Sequence, residues 1–233
     1  MDKKHKLSWR RITGVILFIA LLFSVGYAAA NVFTAPTEIQ GYPEHTRLKS
    51  DYMLMLVQCT LAIIIMFLPS LVQKKLNLAI PNYMYVMYFI FLFCAVYLGE
   101  VRSFYYLVPH WDTLLHTFSG FMLGALGFTL VSILNNAENI NMHLSPGFVA
   151  FFAFCFAVAA GAVWEIYEYS MDGLLGLNMQ KYAFEGGQAK VGREALTDTM
   201  KDLIVDAAGA LIMTVFGYFN LIRQRKRLKS PNE

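Results

Sequence analysis

Residues 147–171 read GFVAFFAFCFAVAAGAVWEIYEYSM, and this stretch decides the fold class. Its first part, 147–164, contains no charged side chain and is about as long as an α-helix must be to cross a hydrocarbon core of ~30 Å. Its apolar residues do not alternate with polar ones, so the backbone can satisfy its hydrogen bonds in lipid only as a helix. The stretch therefore predicts a transmembrane helix that carries two carboxylates, Glu165 and Glu168, near one end.

Composition extends this conclusion to the whole chain. Of the 233 residues, 57% are hydrophobic and 15% are charged, whereas about 25% of the residues are charged in an ordinary soluble domain. The shortage of charge excludes disordered, nucleic-acid-binding and cytosolic proteins as leading classes, and makes membrane lipid the expected partner. We therefore expect an all-α polytopic membrane protein with six transmembrane helices in one bundle and one domain, 1–233. The predicted spans are 12–33, 52–73, 82–101, 111–134, 147–171 and 199–222.

Basic residues at both ends of the chain predict its orientation. Five lysines and arginines lie within 3–11, before the first span, and five lie within 223–229, after the last. The positive-inside rule then places both termini in the cytoplasm. A cleaved signal peptide is the alternative for the first span, because its apolar run ends in the small residues Ala28–Ala30. The loops predicted to face outward are 34–51, 102–110 and 172–198.

Ionisable residues inside the spans are the second informative feature. A charge at the bilayer centre costs ~2.5–3.5 kcal/mol on insertion scales, so such residues usually serve a function. Residues three or four apart share one face of a helix, and the polar residues of the last three spans follow this spacing. They are Asp112, His116 and Ser119 on the fourth span, Glu165, Glu168 and Asp172 on the fifth, and Asp198, Asp202 and Asp206 on the sixth.

The predicted orientation brings these polar faces to one depth. The fourth span enters from outside, the fifth leaves to the outside and the sixth returns from it. With ~1.5 Å of rise per residue, His116, Glu165 and Asp206 lie roughly 6–10 Å below the outer boundary. Glu100, at the outer end of the third span, joins this layer, and His110 lies at the boundary.

The negative charge of so many carboxylates in a medium of low dielectric must be compensated. Three kinds of compensation are open. Protonation of the carboxyl groups would make the cluster the proton relay of a transporter. Pairing with Arg102, Arg193 or Lys201 would leave a structural polar network. A divalent cation held by imidazole and carboxylates is the third, and this set suits Zn, Mn or Fe better than Ca. Its predicted ligands are Asp112, His116, Glu165, Asp202 and Asp206.

Structural roles compete with chemical ones at several of these positions. Asp112 and Asp198 stand near predicted helix starts, where an aspartate caps free N–H groups. Asp172 falls at a helix end that water reaches. The glycines of the same helices predict close helix packing, since a small residue lets a neighbouring backbone approach. They are Gly120 and Gly124, which form a G-x-x-x-G pair, and Gly209.

Three stretches resemble the YjdF-like group of bacterial inner-membrane proteins: FYYLVPHWDTLLHTFSGF (104–121), LSPGFVAFFAFCFAVAAGAVWEIYEYSMD (144–172) and LTDTMKDLIVDAAGA (196–210). A looser similarity links the chain to VanZ-like membrane proteins, a group associated with glycopeptide resistance, through the patterns D-x-x-x-H, E-x-x-Q and D-x-x-x-N-x-x-G. Two amides of those patterns are carboxylates here, which favours a metal or proton role. The positions that match are Asp112 and His116, Glu165 with Glu168 in the Gln place, and Asp202 with Asp206 in the Asn place before Gly209.

These observations predict a membrane protein with a metal site that opens to the extracytoplasmic leaflet. The predicted chemistry is hydrolysis of, or group transfer on, a lipid or lipid-linked cell-envelope substrate. Glu168 or His110 would act as the general base. The alternatives are a proton-coupled transporter or lipid-handling protein that uses the same carboxylates, and a non-catalytic membrane scaffold.

Overall fold

A computed structural model describes residues 8–38, 46–75, 80–135, 144–184 and 188–229. Six helical segments in these ranges are long and apolar enough to cross a membrane, which confirms the all-α fold class. Within the same ranges, strand-like pairing is limited to one antiparallel bridge between Ala183 and Ala189. The helices are α1 (Trp9–Asn31), α2 (Lys49–Ile65), α3 (Leu68–Lys75), α4 (Asn82–Leu92), a π-helix (Phe93–Val101), α5 (Phe104–Leu107), α6 (Trp111–Asn135), α7 (Pro146–Leu175) and α8 (Arg193–Lys229).

Two of the predicted spans are not uniform helices. The second is divided into α2 and α3, and Pro69 in the first turn of α3 has no N–H to continue the hydrogen-bond ladder of α2. The third begins as α4 and continues as the π-helix, after which the Arg102 N–H donates to the carbonyl oxygen of Tyr97 at 2.9 Å. Local backbone geometry of this kind leaves no clear mark in an apolar sequence.

The helices on either side of the last outer loop are longer than predicted. Gly176, with a φ of 65°, follows the end of α7, and Gly192, with a φ of 64°, precedes α8. Glycine adopts this left-handed conformation without strain, so both positions suit helix ends. The loop is therefore 176–192 and not 172–198, and Asp172 and Asp198 are helical residues. No helix occurs among the described residues of this loop, and Gly186 and Gly187 lie outside them.

The contacts of the chain divide into two compact units. The first unit comprises Met1–Trp111 with Leu175–Met179 and Ala183–Ala189, and the second unit comprises Asp112–Leu174 with Gln180–Tyr182 and Lys190–Glu233. The single transmembrane domain stays a prediction. The core of the first unit consists of large apolar side chains from α1, α2, α4 and the π-helix, among them Leu17, Leu21, Met55, Tyr85, Phe89 and Leu92.

The second unit packs through small residues. On α7 one buried face repeats every three or four residues, and it changes from small to acidic along the helix. A Cβ added at Gly127 of α6 would lie 2.7 Å from the Cα of Ala153, so these two helices are in backbone contact. The buried residues of α7 are Val149, Ala153, Ala157, Gly161, Glu165, Glu168 and Asp172.

Candidate metal centre

Three side chains that can bind a metal converge in the second unit. Asp112, His116 and Asp202 each offer one ligand atom, and these atoms all lie within 4.8 Å of one another. Asp202 is buried, whereas Asp112 and His116 are partly accessible. One imidazole and two carboxylates form a donor set that Zn, Mn and Fe accept. The structure thus brings together three of the five ligands predicted from the sequence.

Two glycines allow the helices that carry these groups to lie against each other. A Cβ at Gly120 of α6 would lie 2.1 Å from the carbonyl oxygen of Asp206, and a Cβ at Gly209 of α8 would lie 2.0 Å from that of Thr117. Any other residue at either position would force the backbones apart. At Gly124 the nearest atom is the Met213 Cβ, at 3.3 Å, so this contact is looser. The tight approach of α6 and α8 therefore lies at the level of His116 and Asp206.

The imidazole of His116 lies between two carboxylates. Its Nδ1 is 3.2 Å from Asp206 Oδ2, and its Nε2 is 3.7 Å from Asp112 Oδ1. In the tautomer with a proton on Nδ1, that N–H donates to Asp206 and the lone pair of Nε2 faces the Asp112 side. A carboxylate bonded to the second nitrogen is the usual support of a metal-binding histidine, because it fixes the tautomer and the ring orientation. This geometry suits Asp206 to positioning the imidazole, and Asp206 is not among the three grouped residues, so its predicted role as a direct ligand stays a prediction.

Asp206 is itself held by two neighbours. The Ser119 hydroxyl donates to Asp206 Oδ1 at 2.7 Å, and a Cβ at Gly161 would lie 2.8 Å from Asp206 Oδ2. Gly161 therefore leaves room for the carboxylate between α7 and α8. Because the Ser119 hydroxyl donates to Asp206 and not to the imidazole, Ser119 and His116 do not form the nucleophile–base pair of a serine hydrolase.

Buried carboxylate oxygens without partners lie on the facing helices. By distance, no described donor forms a full hydrogen bond with either side-chain oxygen of Glu165 or with Oδ1 of Asp202, although the Thr199 hydroxyl lies near Glu165. Glu165 is only 5% exposed and Asp202 only 2%. A buried carboxylate without a partner costs several kcal/mol if it stays charged, whereas a cation or a bound proton relieves that cost. The donor set and these oxygens together fit a divalent cation.

The carboxylates nearer the 176–192 loop are more fully paired. Trp164 Nε1 donates to Glu168 Oε1 at 2.9 Å, and the charge of Lys181 lies close enough to act on both Glu168 and Asp198. Asp198 lies in the second turn of α8, so it does not cap the first N–H groups of that helix. Glu168 therefore accepts a hydrogen bond from Trp164 and lies near the charge of Lys181.

Asp172 connects the outer loop to its helix. Its Oδ2 accepts from the Gln180 N–H at 3.0 Å, and Gln180 Nε2 donates to the Thr199 hydroxyl at 2.9 Å. These bonds tie the loop to α7 and α8. They give Asp172 a structural contact, and it is not among the three grouped ligands.

Two predicted residues fall in the first unit. Glu100 lies in the π-helix, and His110 is the exposed residue immediately before α6, with a φ of 62°. Three residues of the second unit that sequence reasoning missed are Gly161, Trp164 and Lys181. The first two had a signal, because each lies four positions before a carboxylate of α7. Lys181 had none, because it comes from the loop.

A known family of membrane proteins matches most of this chain. The sequence model of the family described as "Predicted membrane protein (DUF2238)" matches residues 12–223. The chain belongs to this family. A Thermotoga maritima protein named "Uncharacterized protein" is 29% identical over 153 residues, which is 65% of this chain and 70% of the relative. No solved structure matches the chain. Membership of the DUF2238 family confirms that this is a multi-pass membrane protein of an uncharacterised family. Asp112, His116 and Asp202 all lie within the matched region.

Proposed function

We propose that this DUF2238 protein is a metal-dependent hydrolase or transferase of the bacterial inner membrane. The observation that carries the proposal is the group of Asp112, His116 and Asp202, with ligand atoms within 4.8 Å of one another. The contact of His116 Nδ1 with Asp206 supports it, because metal-binding histidines usually have a carboxylate or carbonyl group on their second nitrogen.

Each residue of the centre receives a role from its contacts. Asp112, His116 Nε2 and Asp202 bind Zn, Mn or Fe, and Glu165 adds a fourth ligand from α7. Asp206 and Ser119 orient the imidazole. The bound ion would supply Lewis-acid activation of the substrate. Glu168 accepts the proton of the attacking nucleophile, and Trp164 holds its carboxylate through one oxygen.

The substrate class follows from the predicted orientation. α6 and α8 begin, and α7 ends, on the side that the positive-inside rule assigns to the outside, and the cluster lies near those ends. A centre in this layer meets lipid headgroups and lipid-linked envelope precursors. We therefore propose such a substrate, in keeping with the resemblance to YjdF-like and VanZ-like proteins.

One further observation favours a second candidate. A bound proton would relieve the unpartnered oxygens of Glu165 and Asp202 as well as a cation would, so the cluster also suits a proton-coupled transporter or lipid-handling protein. The two candidates differ in a measurable property, which is bound metal.

Elemental mass spectrometry of the full-length, detergent-purified protein tests the proposal. We expect near-stoichiometric Zn, Mn or Fe in the wild type and its loss in both His116→Ala and Asp202→Asn. His110→Ala and Asp172→Asn are matched controls, because they remove the same types of group outside the three grouped ligands, and both should keep the metal. Absence of metal from the wild type, after purification without chelators and attempted reloading, would favour the proton-linked candidate.

A further inference from the structure

The first unit contains a cavity of about 520 Å³ that the proposed metal centre does not use. This volume lies in the range of small-molecule sites, ~300–1,000 Å³. The cavity is lined by residues from α1, from the segment before α2, from the π-helix and from the turn that follows it. Its lining includes Phe23, Arg47, Tyr97, Arg102, Ser103 and Leu107.

Two arginines, Arg47 and Arg102, are among the described residues that line this cavity, and no aspartate or glutamate is. Arg47 Nη2 donates to the carbonyl oxygen of Val101 at 2.8 Å and to the Ser103 hydroxyl at 2.7 Å, and both acceptors are neutral. A guanidinium has five N–H donors, so most of those of Arg47 remain for another partner. The described lining of the cavity is therefore positively charged.

The backbone beside the arginines has an unusual conformation. The π-helix ends at Val101, and Ser103 has a φ of 59°, in the left-handed region that residues other than glycine rarely adopt. Arg47 bonds to both of these residues and so holds the turn in place. π-helices and left-handed non-glycine residues concentrate at functional sites. The turn thus brings Arg102 and the Ser103 hydroxyl to the cavity at some cost in backbone energy.

We propose that this cavity binds the phosphate headgroup of an anionic membrane lipid. Guanidinium groups bind phosphate through paired, charge-assisted hydrogen bonds. Phe23 and Leu107 line the same cavity and are 77% and 71% exposed, so they give acyl chains an apolar surface that a free phosphate ion would not use. In the predicted orientation, α1 and the π-helix both end on the outer side, at headgroup level. This site needs no metal and does not depend on the proposed enzymatic activity.

Native mass spectrometry of the full-length protein, taken from nanodiscs that contain phosphatidylglycerol and phosphatidylcholine, tests the assignment. The key variant is Arg102→Gln, because the Arg102 side chain is exposed and its loss removes no described contact. We expect the wild type to retain phosphatidylglycerol and Arg102→Gln to retain it about tenfold less tightly, as loss of a charge-assisted hydrogen bond implies. Arg102→Lys should recover part of the retention.

Arg193→Gln is the matched control, because it removes the same charge from an exposed residue on the same predicted side. It should retain phosphatidylglycerol like the wild type, and metal content should be unchanged in every one of these variants. Equal retention by Arg102→Gln and the wild type would overturn the proposal. So would displacement of phosphatidylglycerol by inorganic phosphate alone, since that result would assign the cavity to a soluble anion.

Discussion

The two units of this protein bury very different side chains. The first unit packs large apolar groups such as Leu21, Met55 and Tyr85 between its helices. The second unit packs glycines and alanines, which bring helix backbones into contact, and buries carboxylates on the same faces. Apolar volume stabilises a helix bundle, whereas buried carboxylates destabilise it unless a ligand or proton compensates them. The stability of the second unit should therefore depend on a bound ligand or proton, and substitutions in the two units should have different effects on stability.

The largest expected effect is at the contact of α6 with α8. Gly209→Ala places a methyl group where only 2.0 Å separates it from the carbonyl oxygen of Thr117, so the helices must move apart. We expect a loss of about 3 kcal/mol or more of stability, at the upper end of what overpacking costs. Thermal unfolding in detergent, followed by tryptophan fluorescence, measures it.

The control for this prediction is Gly26→Ala on α1, where a Cβ would meet nothing within 4 Å. This change should leave the protein as stable as the wild type or raise stability by up to about 1 kcal/mol, through helix propensity alone. Equal unfolding temperatures for Gly209→Ala and Gly26→Ala would refute the close approach of α6 and α8.

A second prediction compares the effects of two core substitutions on the stability of the protein. Leu21→Ala in the first unit should cost about 2–5 kcal/mol under all conditions, because it leaves a cavity. Asp202→Asn in the second unit should raise the unfolding temperature when a chelator is present, because it removes a buried charge with an unpartnered oxygen. With the metal bound, the same substitution should lower the unfolding temperature relative to the wild type. Destabilisation by Asp202→Asn in both conditions would show that Asp202 is held by protein contacts alone.

The smallest effect concerns the support of the imidazole. Ser119→Ala removes the 2.7 Å hydrogen bond to Asp206 and leaves the three proposed ligands in place. We expect metal affinity to fall by about tenfold, at the low end for an outer-shell partner of a ligand, while metal stoichiometry at saturation is kept. Metal titration measures the change. Thr129→Ala on the same helix, which removes only a local bond to the Ala125 carbonyl, should bind metal like the wild type.

The sequence carried much of the fold but less of the site. Long apolar runs of membrane length identify six spans, and the spacing of Asp112 and His116 places them on one face of α6. Sequence could not show that Asp206 supports the imidazole while Asp202 faces the ligand group, because that depends on how α8 is rotated against α6. The sequence also predicted that α7 ends too early and that α8 begins too late, since polar residues near a helix end resemble a loop.

The buried face of α7 changes from small residues to carboxylates, and this change bears on how a molecule would reach the cluster. On one side of Gly161 the face is closed by backbone contact, as at Gly127 and Ala153, and on the other side it bears three carboxylates. In the proposed enzyme, substrate and product would therefore enter and leave on the side of the carboxylates. A transported solute would instead have to pass the contact of Gly127 with Ala153.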